Sequence, residues 1–343
     1  MNSTTLSESA VARSSARELK LPNDRWRPLE IAFWVLLPLI AYFLFPGYLV
    51  LASQIMIVGL FAVSLDLILG YAGIVSLGHA AFFGLGAYIA GLLGVHGWHE
   101  PISGLFAAAA GAAIFGYLTS FLVVRGGDLT RLMVTLGIGL MLFEAANKAA
   151  FITGGVDGLS GVVMGKLFGV FEFDLNGKTA FFYTLGVVFL LFAVLRRVVN
   201  SPFGLGLIGI REGGKRMPAI GADVSRRLTV VFTLGATVAG VAGALLAQTT
   251  QFVGLDSLSF ARSAELMIIL VLGGTGRLYG GLIGAIIFMI AQDYISGLNP
   301  AYWQFYIGLL LIVIVLFARG GVLGGLARLR ERMSHRSAEG SRQ

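Results

Sequence analysis

The 343-residue chain is 57% hydrophobic and only 13% charged, with a mean hydropathy of +0.85, values that exclude an ordinary soluble domain and a disordered chain. It has no cysteine, which excludes a disulfide framework, a thiolate metal site and a thiol nucleophile. The formal net charge of +7 comes from basic residues at the ends of apolar runs, so it fits membrane topology rather than nucleic-acid binding.

Residues 1–28 are polar and Ser-rich, with Arg13, Arg17, Lys20, Arg25 and Arg27, and read as a disordered basic cytoplasmic tail. Apolar runs follow at 29–45, 48–69, 74–94, 102–124, 132–151, 180–196, 228–250, 262–273, 278–296 and 303–318. They predict an all-α polytopic bundle of about ten spans. The first carries Pro38 and the eighth is too short to cross a ~30 Å hydrocarbon layer unaided, so eight or nine crossings also fit. Residues 319–343 form a second basic cytoplasmic tail.

With the N-terminus inside, twenty-one basic residues fall on the cytoplasmic side. Four, Lys148, Lys166, Lys178 and Arg262, fall outside. That asymmetry puts both termini and the 200–227 connector in the cytoplasm and 152–179 outside, where a short interfacial helix is expected. Trp98, Tyr302 and Trp303 lie near the outer span ends, at headgroup level. Gly70, Gly73 and Gly78 share their spacing with Gly273, Gly276 and Gly281. The spacing fits two broken helices of an inverted repeat, and among 48 glycines it also fits coincidence.

The richest segment is GYAGIVSLGHAAFFGLGAYIAG, residues 70–91. Gly73, Gly78 and Gly84 permit close helix crossing or local unwinding, and Ser76 and His79 bring polar groups into an apolar setting. These five residues are candidates for the translocation path, with helix packing and a locally bonded His79 as the alternative. Glu144, within the fifth span, joins them because intramembrane carboxylates are costly unless paired or solvated. An i, i+4 contact to Lys148 would give it a purely structural partner. Asp66, Glu265, Gln292 and Asp293 lie close enough to span ends to be merely solvated.

In order along the chain, GYAGIVSLGHAAFFGLGAY, IREGGKRMPAIGADVSRR (210–227) and ELMIILVLGGTGRLYGGLIGA (265–285) resemble the permeases of branched-chain amino acid ABC importers, of the LivM type rather than the LivH type. The resemblance covers most of residues 50–318. It implies a transport subunit without catalysis of its own, in the bacterial inner membrane. Its partners would be a second, LivH-type permease, two ATPase subunits and a periplasmic substrate-binding protein, besides membrane lipid and without nucleic acid. No cofactor is expected on this chain; ATP and Mg would sit on the partner subunits. The 200–227 connector would hold a short coupling helix docking on an ATPase, with Arg211, Glu212, Ala219 and Gly221 as coupling candidates. Gly213, Gly214 and Pro218 depart from a continuous helix there, since Gly costs about 1 and Pro about 3 kcal/mol in a helix interior. A helix with Pro218 in its first turn avoids that cost.

Two nucleotide-like motifs fail on context. GLGLIG at 204–209 lacks the preceding strand and βαβ unit of a dinucleotide site, and NGKT at 176–179 lacks the first glycine of a P-loop. His96 and His99 flank Trp98 beside Gly97 and Pro101, which suits an outer turn better than a metal site. A stand-alone secondary transporter or channel is the alternative function. It would be expected to carry more intramembrane ionisable groups than Asp66, Glu144 and His79.

Overall fold

A computed structural model describes residues 28–44, 46–166, 177–214, 216–298, 300, 302, 305–309, 312 and 321. Nearly all of both tails, most of the expected tenth span and Trp303 lie outside the described residues, as does part of the loop expected to hold an interfacial helix. The described residues form ten long helices: α1 (Pro28–Leu44), α2 (Leu49–Asp66), α3 (Ala80–Val95), α4 (Pro101–Arg125), α5 (Asp128–Lys148), α6 (Lys178–Val199), α7 (Pro202–Gly213), α8 (Val224–Thr250), α9 (Phe260–Gly273) and α10 (Leu278–Leu298). Leu159 and Val253 form an isolated bridge, and no strand occurs among the described residues.

Long-range contacts sort the helix ends into two groups. At one end, Glu30 pairs with Arg196 at 2.9 Å, Gly276 N donates to Asp66 and Leu77 N donates to Thr135. At the other, Gln248 donates to Pro101 O, Gly165 N donates to His99 O and the Leu159–Val253 bridge closes. Except for α7, which stays at the first end, successive helices alternate between these ends, as the chain-order reading of spans expects. Among the described residues, six segments are long and apolar enough to cross a membrane: Pro46–Tyr71, α4, α5, α6, α8 and α10. The chain is therefore a multi-pass membrane protein.

The central post is α8, 27 residues and thus about 40 Å long. It packs against α3 and α4 through surfaces from which side chains have been removed. A Cβ on Gly86 would overlap the backbone of Gly240, and one on Gly243 would overlap Phe83 O. Close backbone approach of this kind replaces the hydrophobic effect as the source of helix association in lipid. By contrast α5 buries only Thr135, Ile138 and Gly139 and exposes Leu129, Met133, Leu140 and Met141.

Three sequence expectations need correction. The third span does not begin at residue 74: after Asp66 the chain widens into a π turn over Leu67–Tyr71 and becomes helical again only at Ala80. A run of apolar residues was continuous where the helix is not. The expected helix of the 200–227 connector lies before Pro218 rather than after it: α7 opens with Pro202 in its first turn, where it loses no hydrogen bond. Finally, Gly70 and Gly276 approach each other at the same end of the bundle, whereas an inverted repeat would put the two glycine sets at opposite ends.

Candidate functional site

Several amides of the discontinuity between α2 and α3 find partners within the protein, as non-helical backbone inside a membrane bundle requires. Gly73 N donates to Leu69 O at 3.1 Å and Ile74 N to Ile68 O at 3.0 Å. Leu77 N donates to Thr135 Oγ1 of α5 at 3.3 Å. Ala80 N, the first amide of α3, donates to Ser263 Oγ of α9 at 2.9 Å, so a helix from the other half of the chain supplies the partner that an exposed helix start would lack.

His79 is fully buried, stacked on Phe61 with ring centroids 5.6 Å apart and edge-on to Phe82. Its Nε2 lies 2.8 Å from Ser64 Oγ, which is itself 2.6 Å from Phe61 O. The hydroxyl has one proton and the carbonyl can only accept, so Ser64 donates to Phe61 O and His79 Nε2 donates to Ser64. Nδ1 of His79 and Oγ of Ser76 are buried with no partner among the described residues. The structure thus brings Ser76 and His79 to the broken segment and encloses both in packed protein.

Gly78 and Gly84 are contact points. A Cβ on Gly78 would overlap Thr135 O and come within 2.7 Å of Thr135 C; one on Gly84 would run into the Leu258 side chain and sit 3.1 Å from Ser257 O. Gly73, at φ +73°, lies under Arg211, whose Cγ would be 2.9 Å from a Cβ there.

Arg211, near the end of α7, donates from Nη1 to Gly70 O and sits 3.5 Å from Glu212 Oε1 through Nη2. Gly276, at φ +75°, faces the same guanidinium: a Cβ there would be 3.1 Å from Nη1. Gly276 N donates to Asp66 Oδ1 at 2.7 Å. The carboxylate thereby stands at the start of α10, where aligned peptide dipoles favour negative charge. Asp66 is not solvated as its place near a span end suggested. It is fully buried, and its Oδ2 has no partner among the described residues. Residues of both glycine sets, one carboxylate and one arginine therefore form a single joint that sequence spacing alone did not disclose.

The remaining candidates lie elsewhere. Glu144 is exposed on α5, far from α7 in the chain, and the described ion pairs do not join it to Lys148. Glu265 pairs with Arg262 at 2.9 Å rather than meeting water alone. Asp293 is exposed and lines an apolar cavity of about 480 Å³ between α1, α2, α6 and α10, together with Trp34, Met56 and Leu282. His99 Nδ1 donates to Val163 O at 3.0 Å in the expected outer turn. Gln248, which accepts from Tyr183 at 2.9 Å, is a buried polar link absent from the sequence reading.

Beyond α7, Met217 still packs against the core, whereas Pro218–Gly221 are exposed. Met217–Ile220 form one 3₁₀ turn with Pro218 in its first positions, shorter than the helix expected after Pro218. Gly221 N donates to Pro218 O and Ala222 N to Met217 O, and Gly221 takes the left-handed conformation at φ +81°. Ala219 and Gly221 are exposed and Ile220 is 76% exposed, an apolar tip flanked by Arg216 and Arg226. Asp223 Oδ1 accepts from Arg226 N at 3.0 Å and caps α8. The GLGLIG stretch lies within α7 with no strand before it, so it cannot cradle a dinucleotide.

Residues 47–315 match the family described as branched-chain amino acid transport system / permease component. The chain is 29% identical over 304 residues to the high-affinity branched-chain amino acid transport system permease protein LivM of Escherichia coli (strain K12), covering 81% of this chain and 70% of that protein. It is 27% identical over 280 residues to the L-arabinose ABC transporter permease protein AraH of Azospirillum brasilense, with 78% of each chain covered. Against the LivH permease protein of Escherichia coli (strain K12) the identity is 26% over 288 residues, 77% of this chain and 90% of that one. No solved structure matches the chain. The family match spans more than half of the sequence and contains the broken segment, the Arg211 joint and the exposed 218–221 tip: this chain belongs to the branched-chain amino acid transport system permease family.

Proposed function

We propose that this permease works as the LivM-type membrane subunit of a bacterial inner-membrane ABC importer for branched-chain amino acids, leucine, isoleucine and valine being the expected substrates. It encloses the translocation path with a second, LivH-type permease and receives substrate from a periplasmic binding protein. Two ATPase subunits, which carry the ATP and Mg, drive it. The chain itself performs no chemistry. The basic-residue asymmetry supports placing the Arg211 end of the bundle in the cytoplasm, with residues 1–28 and 319–343 as tails on that side and 29–318 as the transmembrane domain.

The exposed tip at Pro218–Gly221, with Ile220 76% exposed, carries this reading. An apolar side chain such as Ile220 standing clear of the bundle beside basic residues has no role in this chain's own packing and suits a groove on a partner. The little-buried face of α5, which bears Glu144, suits the second permease or the path between the two.

Vesicles containing the four-part assembly test it. They should accumulate labelled leucine only with ATP and loaded binding protein present. Accumulation by this chain without an ATPase would instead establish the stand-alone transporter.

A further inference from the structure

The structure carries a further inference about how force reaches the membrane helices, and it rests on the ABC-permease reading. We propose that Arg211 is the transmission strut of the permease, moving the Gly70–Gly73 turn and the Gly276 turn together when the 202–221 segment is displaced.

Three observations support it. One side chain touches both discontinuities: the Arg211 stem lies over Gly73, its Nη1 bonds Gly70 O, and the same Nη1 stands against Gly276. Both glycines have left-handed backbones, φ +73° and +75°, which only glycine adopts at little cost, and both are bare where the arginine passes. Second, the two turns are already tied to each other. Gly276 N bonds Asp66 and Ala80 N bonds Ser263. Each helix pair, α2–α3 and α9–α10, thus provides a side-chain acceptor at or next to the start of the other pair's second helix. The four helices form one linked unit, with Arg211 as its connection to α7.

Third, the strut has room to act. The Arg211 side chain is 38% exposed, while Asp66 and Ser263 are buried, so the arginine is the part able to shift without opening the core. A guanidinium presents several donors in a rigid plane and can hold two turns at once; an ammonium is a single charge on a flexible stem. Arg211 is in this sense a positioning residue: it touches no substrate and acts through the two turns.

The test uses the full assembly, with Arg211→Gln and Arg211→Lys variants. Two ratios are measured: ATPase co-purified per permease, and labelled leucine moved per ATP hydrolysed. The proposal predicts wild-type co-purification and a transport ratio lowered by about tenfold or more in Arg211→Gln, within the range by which positions along a coupling network act. Arg211→Lys, which keeps charge and length, falls between, and supplies the decisive ratio should the glutamine variant fail to accumulate. A wild-type transport ratio in both variants overturns the strut. So does loss of ATPase co-purification, which would make Arg211 a docking contact and leave the proposed function standing. If the wild-type chain captures no ATPase, the functional reading itself fails and the strut fails with it.

Discussion

Asp66 Oδ1 and Gly276 N are 2.7 Å apart although 210 positions separate them in the chain, and this bond joins the end of α2 to the start of α10. A buried amide next to a helix start loses more when its acceptor is removed than the bond itself contributes.

Asp66→Leu should therefore destabilise the permease by about 1–3 kcal/mol, whereas Asp66→Asn keeps an acceptor oxygen and should lose less. Thermal melting of both variants in one detergent checks the ordering. Equal melting temperatures would mean that the bond contributes nothing.

Ser263→Ala removes the acceptor for Ala80 N at the start of α3. A loss of about 1 kcal/mol is expected, as for other helix-start hydroxyls, while a deletion that leaves uptake and melting untouched would assign that amide to water.

At Gly78 the neighbouring atoms are the α5 backbone, and at Gly84 they include the flexible end of Leu258. Gly78→Leu should accordingly abolish uptake and sharply reduce the folded yield, since backbone cannot yield locally, and Gly84→Leu should be the milder of the two. Size-exclusion profiles beside leucine uptake measure both. The reverse order would place the critical close approach at Gly84.

Topology is checked by thiol labelling of this cysteine-free chain. Gly214→Cys, exposed beside α7, should react with an impermeant reagent only after cells are opened. Val156→Cys, 82% exposed at the opposite end, should react in intact cells.

Much of the bundle was legible in the sequence, because apolar length is what a bilayer selects. The first nine expected spans each correspond to a described helix. What hydropathy could not reveal was continuity: apart from Ser76 and His79, residues 72–79 are apolar or glycine, so the hydropathy of the third span runs on through the break. Small polar residues such as Ser64 and Ser263 were diluted in apolar runs, and Asp66 resembled a solvated end residue because its partner lies in the other half. The glycine spacing did point to Gly73 and Gly276, and Arg211 was singled out as part of the coupling segment. Their meeting depends on long-range packing that no local pattern encodes. The outer link between Tyr183 and Gln248 escaped for the same reason.

On the proposed function, nucleotide-driven motion enters this permease through the exposed Pro218–Gly221 turn. Ala219→Trp and Ile220→Glu alter only its exposed tip, so folding stability should change by no more than about 0.5 kcal/mol. The direct measurement is ATP-dependent leucine uptake by the reconstituted assembly, read beside the amount of ATPase retained on the permease. Both variants should insert normally, retain much less ATPase and lose most of their uptake. Wild-type uptake in either variant's vesicles, or uptake with no ATPase present, would contradict the account.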